Sequence, residues 1–231
     1  DYPQYGDRHH PMRDNPECAN DGRDFSRYVT YFHEQVRELC TQYGKLDIMW
    51  FDFSYDYLKG EAWEATKLIN MIHTLQPGIL IDNRLEGSGE GFGSLVTDKP
   101  SAFCGDFVSP EQIIPPEGIR DAHGNHVVWE ACLTMNNNWG YHATDRFFKP
   151  ASMVVRKLVE CVSKGGNLLI NIGPDARGVI PEESVSILGE IGRWMAQNSH
   201  SIYHCGNADI PKPEYGRITR NGRFLYYHVM D

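Results

Sequence analysis

No apolar run in this 231-residue chain approaches the roughly 20 residues that a membrane helix needs. The longest, such as Ile48–Phe51 and Leu168–Ile170, have the length of strands. The six cysteines (Cys18, Cys40, Cys104, Cys132, Cys161 and Cys205) contain no C-x-x-C pair, so zinc and thioredoxin-type sites are not indicated and buried free thiols are expected. No H-E-x-x-H occurs, and the neighbours His9-His10 are poorly spaced to ligate one ion, so no metal site is expected. There is no G-x-S-x-G elbow for a serine hydrolase. Gly165-Gly166-Asn167 lacks G-K-[ST] and precedes a strand, so it reads as a helix end and not as a phosphate loop. The sequence opens on Asp1-Tyr2-Pro3 with neither Met nor a signal-peptide pattern, and it has no N-x-S/T sequon. Cytoplasmic and secreted or lysosomal locations both stay open.

What is present is the mix of a globular protein with a core: 41% hydrophobic, 23% charged and 12% aromatic residues, which excludes collagen, a coiled coil and a disordered tail. Lys and Arg number 22 against 31 Asp and Glu, a formal net charge of −9. Such a surface repels phosphate backbones and argues against a nucleic-acid partner.

Apolar positions recur at helical spacing from Phe25 to Tyr43, and Gly44 stops the helix. Leu46 to Phe51 reads as a parallel strand covered on both faces. A helix over Glu61–Leu75, closed by Pro77-Gly78, and a short strand over Gly78–Asp82 follow. Residues 85–126, rich in Gly and Pro, read as one long loop. Strands are expected at Val127–Trp129 and Asn167–Ile172, and helices at Ala151–Ser163 and from Pro181 through Met195. Arg217–Thr219 and Phe224–Val229 flank Asn221-Gly222, a strong hairpin signal. Alternating strands and helices imply right-handed βαβ units and a parallel sheet. Four of each amount to about half of a (β/α)8 barrel, whose usual size is around 250 residues. The expected fold is therefore α/β: a partial (β/α)8 barrel of the TIM type over residues 1–205, then the opening hairpin of an antiparallel β-sandwich over 206–231.

Asp52 directly follows an apolar strand, where barrels place catalytic groups. Alternation puts Ile48, Trp50 and Asp52 on one face, stacking an indole beside a carboxylate. Sugars pack their C–H faces on indoles, and a carboxylate beside them can attack an anomeric carbon; alternatively, Asp52 caps the next helix. Arg84 follows the second strand in the same way and can bind a hydroxyl or steady a carboxylate, or be an ordinary surface arginine. Glu111 in the long loop can swing against a leaving group, or merely open a helical turn after Ser109-Pro110. Glu130, read as ending its strand, competes with Glu111 for the same acid/base role.

Several segments together resemble the α-L-fucosidases of glycoside hydrolase family 29. They are Ile48-Met49-Trp50-Phe51-Asp52; Asp82-Asn83-Arg84; Gly105-Asp106-Phe107 through Pro110-Glu111; Trp129-Glu130 with Trp139-Gly140-Tyr141; and, most specific, Val162 through Pro174. Gly178-Val179-Ile180-Pro181, Ile191-Gly192-Arg193-Trp194 and Ile202-Tyr203 continue the family order. The resemblance implies a retaining exo-glycosidase that removes terminal α-L-fucose from an oligosaccharide or glycoconjugate, with no metal and no cofactor. It puts Asp52 on the nucleophile position, Glu111 on the acid/base position, and Trp50, Arg84 and Trp129 on substrate-binding positions. Phe53 departs from the small residue usual after the nucleophile, which narrows the pocket. The histidine pair that grips fucose hydroxyls in the family is expected upstream of this sequence, and His9-His10-Pro11 is no substitute for it. The chain therefore reads as a piece incomplete at both ends. A fucose-binding protein without catalysis, or a retaining glycosidase for a galactoside, are the rival readings. Linkage preference and homo-oligomer formation stay open, and no membrane partner is expected.

Overall fold

The computed structural model describes residues 24–52, 54, 58–87 and 91–230. His9-His10, Cys18 and Phe53 lie outside the described residues. The chain divides into two compact units.

The first unit ends at Asp106. Helix α1 (Phe25–Gln42) is capped by Asp24, whose side chain accepts from the Ser26 N–H at 3.0 Å. Its inward stripe is Val29, His33, Val36 and Cys40. Gly44 at φ +81° turns the chain away, the left-handed conformation that glycine takes without a steric penalty. Strand β1 (Ile48–Met49) pairs in parallel with β2 (Leu80–Ile81) in the register Ile48↔Leu80 and Met49↔Ile81. The connecting helix expected from Glu61 is divided. A 3₁₀ turn over Gly60–Trp63 gives way to α2 (Ala65–Leu75) through Glu64, held left-handed at φ +48°. Ala65, Leu68 and Ile72, all fully buried, pack with Val36, Cys40, Phe51, Ile79 and Ile81 into one core.

Strand β1 is shorter than the apolar run predicts. Its ladder stops after Met49 because the Phe51 N–H turns to the side chain of Asp82 instead of a neighbouring carbonyl. Nor are β1 and β2 covered on both faces by the described residues: the register partners Ile48 and Leu80 remain 52% and 47% exposed.

In the second unit, β3 (Glu130–Thr134) and β4 (Asn167–Asn171) run parallel over five residues, from Glu130↔Asn167 to Thr134↔Asn171. This corrects the strand expected at Val127–Trp129. The Val127 N–H bonds to Ile119 O and Arg120 pairs antiparallel with His126, so those residues close a small hairpin before β3 begins. Glu130 consequently starts its strand instead of ending it. A second correction concerns the long loop. Residues 108–111 form a third parallel run against β3, with bridges Val108↔Trp129 and Glu111↔Cys132. Its backbone hydrogen bonds alternate along the pair: Val108 N to Val128 O, Glu130 N to Val108 O, Cys132 N to Pro110 O and Gln112 N to Cys132 O.

Helix α3 (Ala151–Ser163) and helix α4 (Glu182–Asn198) follow the expected pattern. Strands β5 (Gly206–Asn207), β6 (Gly216–Asn221) and β7 (Phe224–Val229) make an antiparallel sheet, with β6 and β7 joined through Gly222 at φ +54°. This sheet packs against α3. Arg217 Nη2 and Lys164 Nζ donate to the same oxygen of Glu160, at 2.8 and 2.6 Å, and the buried Thr219 hydroxyl donates to Ser201 O at 2.7 Å. The five described cysteines are unbridged, and Cys40, Cys132 and Cys161 are buried. Among the described residues, no helix is long and apolar enough to cross a membrane.

Candidate active site

Three of the sequence-predicted residues meet in the first unit, at the exits of β1 and β2. Arg84 is fully buried, and its Nη1 donates to Asp52 Oδ1 at 3.1 Å. Its guanidinium also lies over the indole of Trp50, 4.7 Å from the ring centroid. Burying an unpaired guanidinium is costly, and a carboxylate at its edge with an aromatic face below it offsets that cost. The Asp52 side chain keeps 36% of its surface exposed, so one partner of the pair is anchored and the other reaches solvent. Trp50 Nε1 is buried with no hydrogen-bond partner among the described residues.

Beneath this pair lies Asp82, which sequence reasoning passed over as part of a motif. It has no exposed surface. Its Oδ1 accepts the Phe51 N–H at 3.0 Å, and the backbone N–H of Arg84 also bonds to the carboxyl group. Its Oδ2 is buried without a partner among the described residues. Burial pushes this carboxyl up to about 7, against the opposing pull of the Phe51 N–H and the Arg84 charge. Gly105 explains the closeness of the next segment: a Cβ there would sit 2.3 Å from Asp82 O. From that segment Asp106 returns two bonds to Ile81, its N–H to Ile81 O at 2.6 Å and its Oδ2 from the Ile81 N–H at 2.8 Å. An acid directly after a short apolar strand, opposite the end of another, was the available signal for Asp82.

The other predicted residues lie in the second unit. Glu111 does not sit on a swinging loop. Its backbone is fixed beside Cys132, and its Oε1 accepts the Trp139 indole N–H at 3.1 Å. Trp139 is held from below by Asn171, whose Nδ2 donates to Trp139 O at 2.6 Å. Gly173 permits this approach, since a Cβ there would lie 2.8 Å from Gly140 C. No sequence spacing links Glu111 to Trp139, 28 residues apart; only the fold joins them. Beside Glu111, Gln112 is left-handed at φ +56° and donates through Nε2 to Thr134 Oγ1 at 3.1 Å.

Glu130 stands two residues before the level of Glu111, about 7 Å back along the strand direction, at the start of β3. Burial raises its carboxyl above the usual range. Trp129, expected to meet a sugar, has no accessible surface. Its ring lies against Gly166, where a Cβ would come within 2.2 Å of the indole, and its carbonyl accepts the Asn167 N–H. The indole is wall material at the start of β3 and β4, because Gly166 leaves a space that the ring fills.

A cavity of about 250 Å³ opens beside Tyr141 and His142, but none of the sequence-predicted residues lines it. Its charged walls pair among themselves, Arg146 with Glu183 at 3.2 Å and Arg177 with Asp175 at 2.8 Å. Among the described residues, no group of three His, Cys, Asp or Glu side chains is placed to hold a metal ion.

Parallel strand pairs linked through helices, with acidic side chains at the strand exits and indoles beside them, define the class as a barrel-type α/β fold. The sequence model of the α-L-fucosidase family matches residues 2–200, and the chain belongs to that family. It is 30% identical over 179 residues to the α-L-fucosidase of Dictyostelium discoideum, covering 74% of this chain and 34% of that protein. It is 28% identical over 202 residues to the plasma α-L-fucosidase of Rattus norvegicus, covering 84% and 41%. Among solved structures, α-L-fucosidase isoenzyme 1 from Paenibacillus thiaminolyticus superposes with a TM-score of 0.93 at 54% identity, over 100% of this chain and 53% of that one. An α-L-fucosidase of Bacteroides thetaiotaomicron, solved as a covalent intermediate trapped with 2-fluoro-fucosyl fluoride in a Glu-to-Gln variant, superposes with a TM-score of 0.76 at 30% identity, over 90% and 48%. The chain thus spans between a third and about half of these relatives. These neighbours imply a (β/α)8 barrel domain of the α-L-fucosidase type.

Proposed function

We propose that this chain carries the chemical centre of a retaining α-L-fucosidase that removes terminal fucose from a glycan. The observation that supports this reading best is the Asp52–Arg84 pair over Trp50 at the exits of two parallel strands in a member of this family. Arg84 fixes one oxygen of Asp52 and leaves the other to reach a substrate. In the first step Asp52 attacks the anomeric carbon, a C–O bond to its carboxylate forms, and the glycosidic C–O bond breaks. Glu111 gives its proton to the departing oxygen. In the second step Glu111 takes a proton from water, the resulting hydroxide joins the anomeric carbon, and Asp52 departs as carboxylate. Two inversions retain configuration. The trapped intermediate of the Bacteroides relative lends support to a covalent route.

Glu111 is preferred to Glu130 because it lies at the exit of its strand run and holds an indole N–H, whereas Glu130 starts a strand. Trp50 and Arg84 are the proposed sugar-contacting residues, and Trp129 serves as wall. In this reading residues up to 205 belong to the second half of the barrel, and residues 206–231 open the antiparallel domain that follows it. No cofactor takes part. The deciding experiment is release of aglycone from an aryl α-L-fucoside by the full-length protein and by its Asp52→Asn variant. Turnover that vanishes in the variant supports the reading. Turnover that survives in it, or is lacking in the wild type, overturns it.

A further inference from the structure

We infer that Asp82 is a positioning residue for Asp52: its buried carboxyl oxygen ties together the two strand ends that present the Asp52–Arg84 pair. The inference rests on the fucosidase reading above. Asp82 Oδ1 receives the N–H of Phe51, the residue immediately before Asp52, while its carboxyl also receives the backbone N–H of Arg84. One side chain therefore fixes the backbone on both sides of the 3.1 Å bond between Arg84 and Asp52. The ladder between β1 and β2 does not supply this restraint, since it ends at Met49 and Ile81. Beyond that point Asp82 N reaches only Met49 O, at 3.4 Å, so the carboxyl replaces the missing ladder bond at Phe51. The Asp82 backbone is held from its other side by Gly105, where no Cβ fits.

A core residue kept for packing alone has no use for an acid here. A fully buried carboxyl with one oxygen unpartnered among the described residues costs stability, and such a cost is tolerated where it serves orientation. The neighbouring ionisable groups are Asp52 and Arg84, which pull in opposite directions on its charge. What matters for positioning is the acceptor oxygen, and an amide supplies that oxygen as well as a carboxyl does.

The test compares Asp82→Asn with Asp82→Ala on an aryl α-L-fucoside, with wild type and Asp52→Asn as controls. Alanine withdraws the acceptor, and kcat is expected to fall by about tenfold to a hundredfold with KM changed much less, because the reacting group is misplaced while the sugar contacts remain. Asparagine is expected to bring kcat back to within about threefold of wild type. If alanine does not fold, Asp82→Leu, close to Asp in shape and without an acceptor, takes its place. An Ala or Leu variant with wild-type kcat, or an Asn variant as impaired as Ala, overturns the inference while Asp52→Asn stays inactive. Loss of the fucosidase reading itself shows differently, as a wild type without turnover or an active Asp52→Asn.

Discussion

Arg84 and Asp52 form an asymmetric pair: the guanidinium has no solvent contact, and the carboxylate it bonds at 3.1 Å is one-third exposed. The cation is the fixed member, and it determines where the acid points. A lysine at position 84 would keep the charge but lose the planar fork that spans Asp52 and the Trp50 face.

Arg84→Lys is therefore expected to lower kcat/KM on an aryl α-L-fucoside by about a hundredfold, close to the effect of Arg84→Met, because orientation and not charge is lost. Steady-state kinetics of the two variants decides it. A lysine variant within about threefold of wild type would refute the orienting role.

Glu111 and Glu130 are separated by leaving-group dependence. Glu111→Gln is expected to lose about 10²–10⁴-fold on fucosyl disaccharides, whose departing sugar needs a proton, and far less on an activated aryl fucoside. Glu130→Gln is expected to show no such contrast. Parallel rate measurements on both substrates report it, and the reverse pattern would move the acid/base role to Glu130.

Trp139→Phe keeps an aromatic side chain, smaller than the indole, and deletes the N–H that bonds Glu111. The disaccharide rate is expected to fall by about tenfold with the melting temperature unchanged within experimental error, since the indole N–H is half of a solvent-side contact. An unchanged disaccharide rate would separate Trp139 from Glu111 function.

Asp82 gives a pH dependence of stability with a definite sign. Its carboxyl titrates near 3.8 in the unfolded chain and at about 7 when folded, so the folded state holds the extra proton between those values. Stability is therefore lost as pH rises from about 4 to about 7, by an amount on the order of a few kcal/mol. Asp82→Asn removes that loss. The melting temperature of the variant is expected to gain on wild type as pH is raised through this window, and a constant difference from pH 4 to 8 would contradict it.

Much of this fold was legible because helical periodicity over 10 or more residues is hard to mistake: α1, α3 and α4 begin and end within three residues of expectation. The shorter elements failed for physical reasons. The run at Val108–Glu111 is too short and too punctuated by Pro110 to show a period, and its order comes from β3, which no local pattern reveals. Val127–Trp129 looks like a strand, yet its first residue is already engaged by Ile119. Position after a strand singled out Asp52 and Arg84, which the structure brings together, whereas the contacts of Trp139 and Asp82 join residues 28 and 31 apart in sequence. Trp129 was misread because composition does not tell an indole facing a ligand from one facing a glycine.

That glycine also makes a stability prediction. Gly166→Ala would drive a methyl group into the Trp129 ring, and a loss of about 1–3 kcal/mol is expected from equilibrium unfolding, with little change in kcat. A neutral substitution would mean that the indole moves freely.

The shared acceptor Glu160 has a consequence for how such chains can be recombined. Lys164 and Arg217 both depend on it, one from the end of α3 and the other from β6. A crossover placed between 205 and 206 would part the arginine from its counter-ion and take Met230 from the cluster of Val159, Val162 and Ile202. The seam that looks clean along the chain is welded in three dimensions, so viable exchanges of the antiparallel sheet must carry a matching α3 with them.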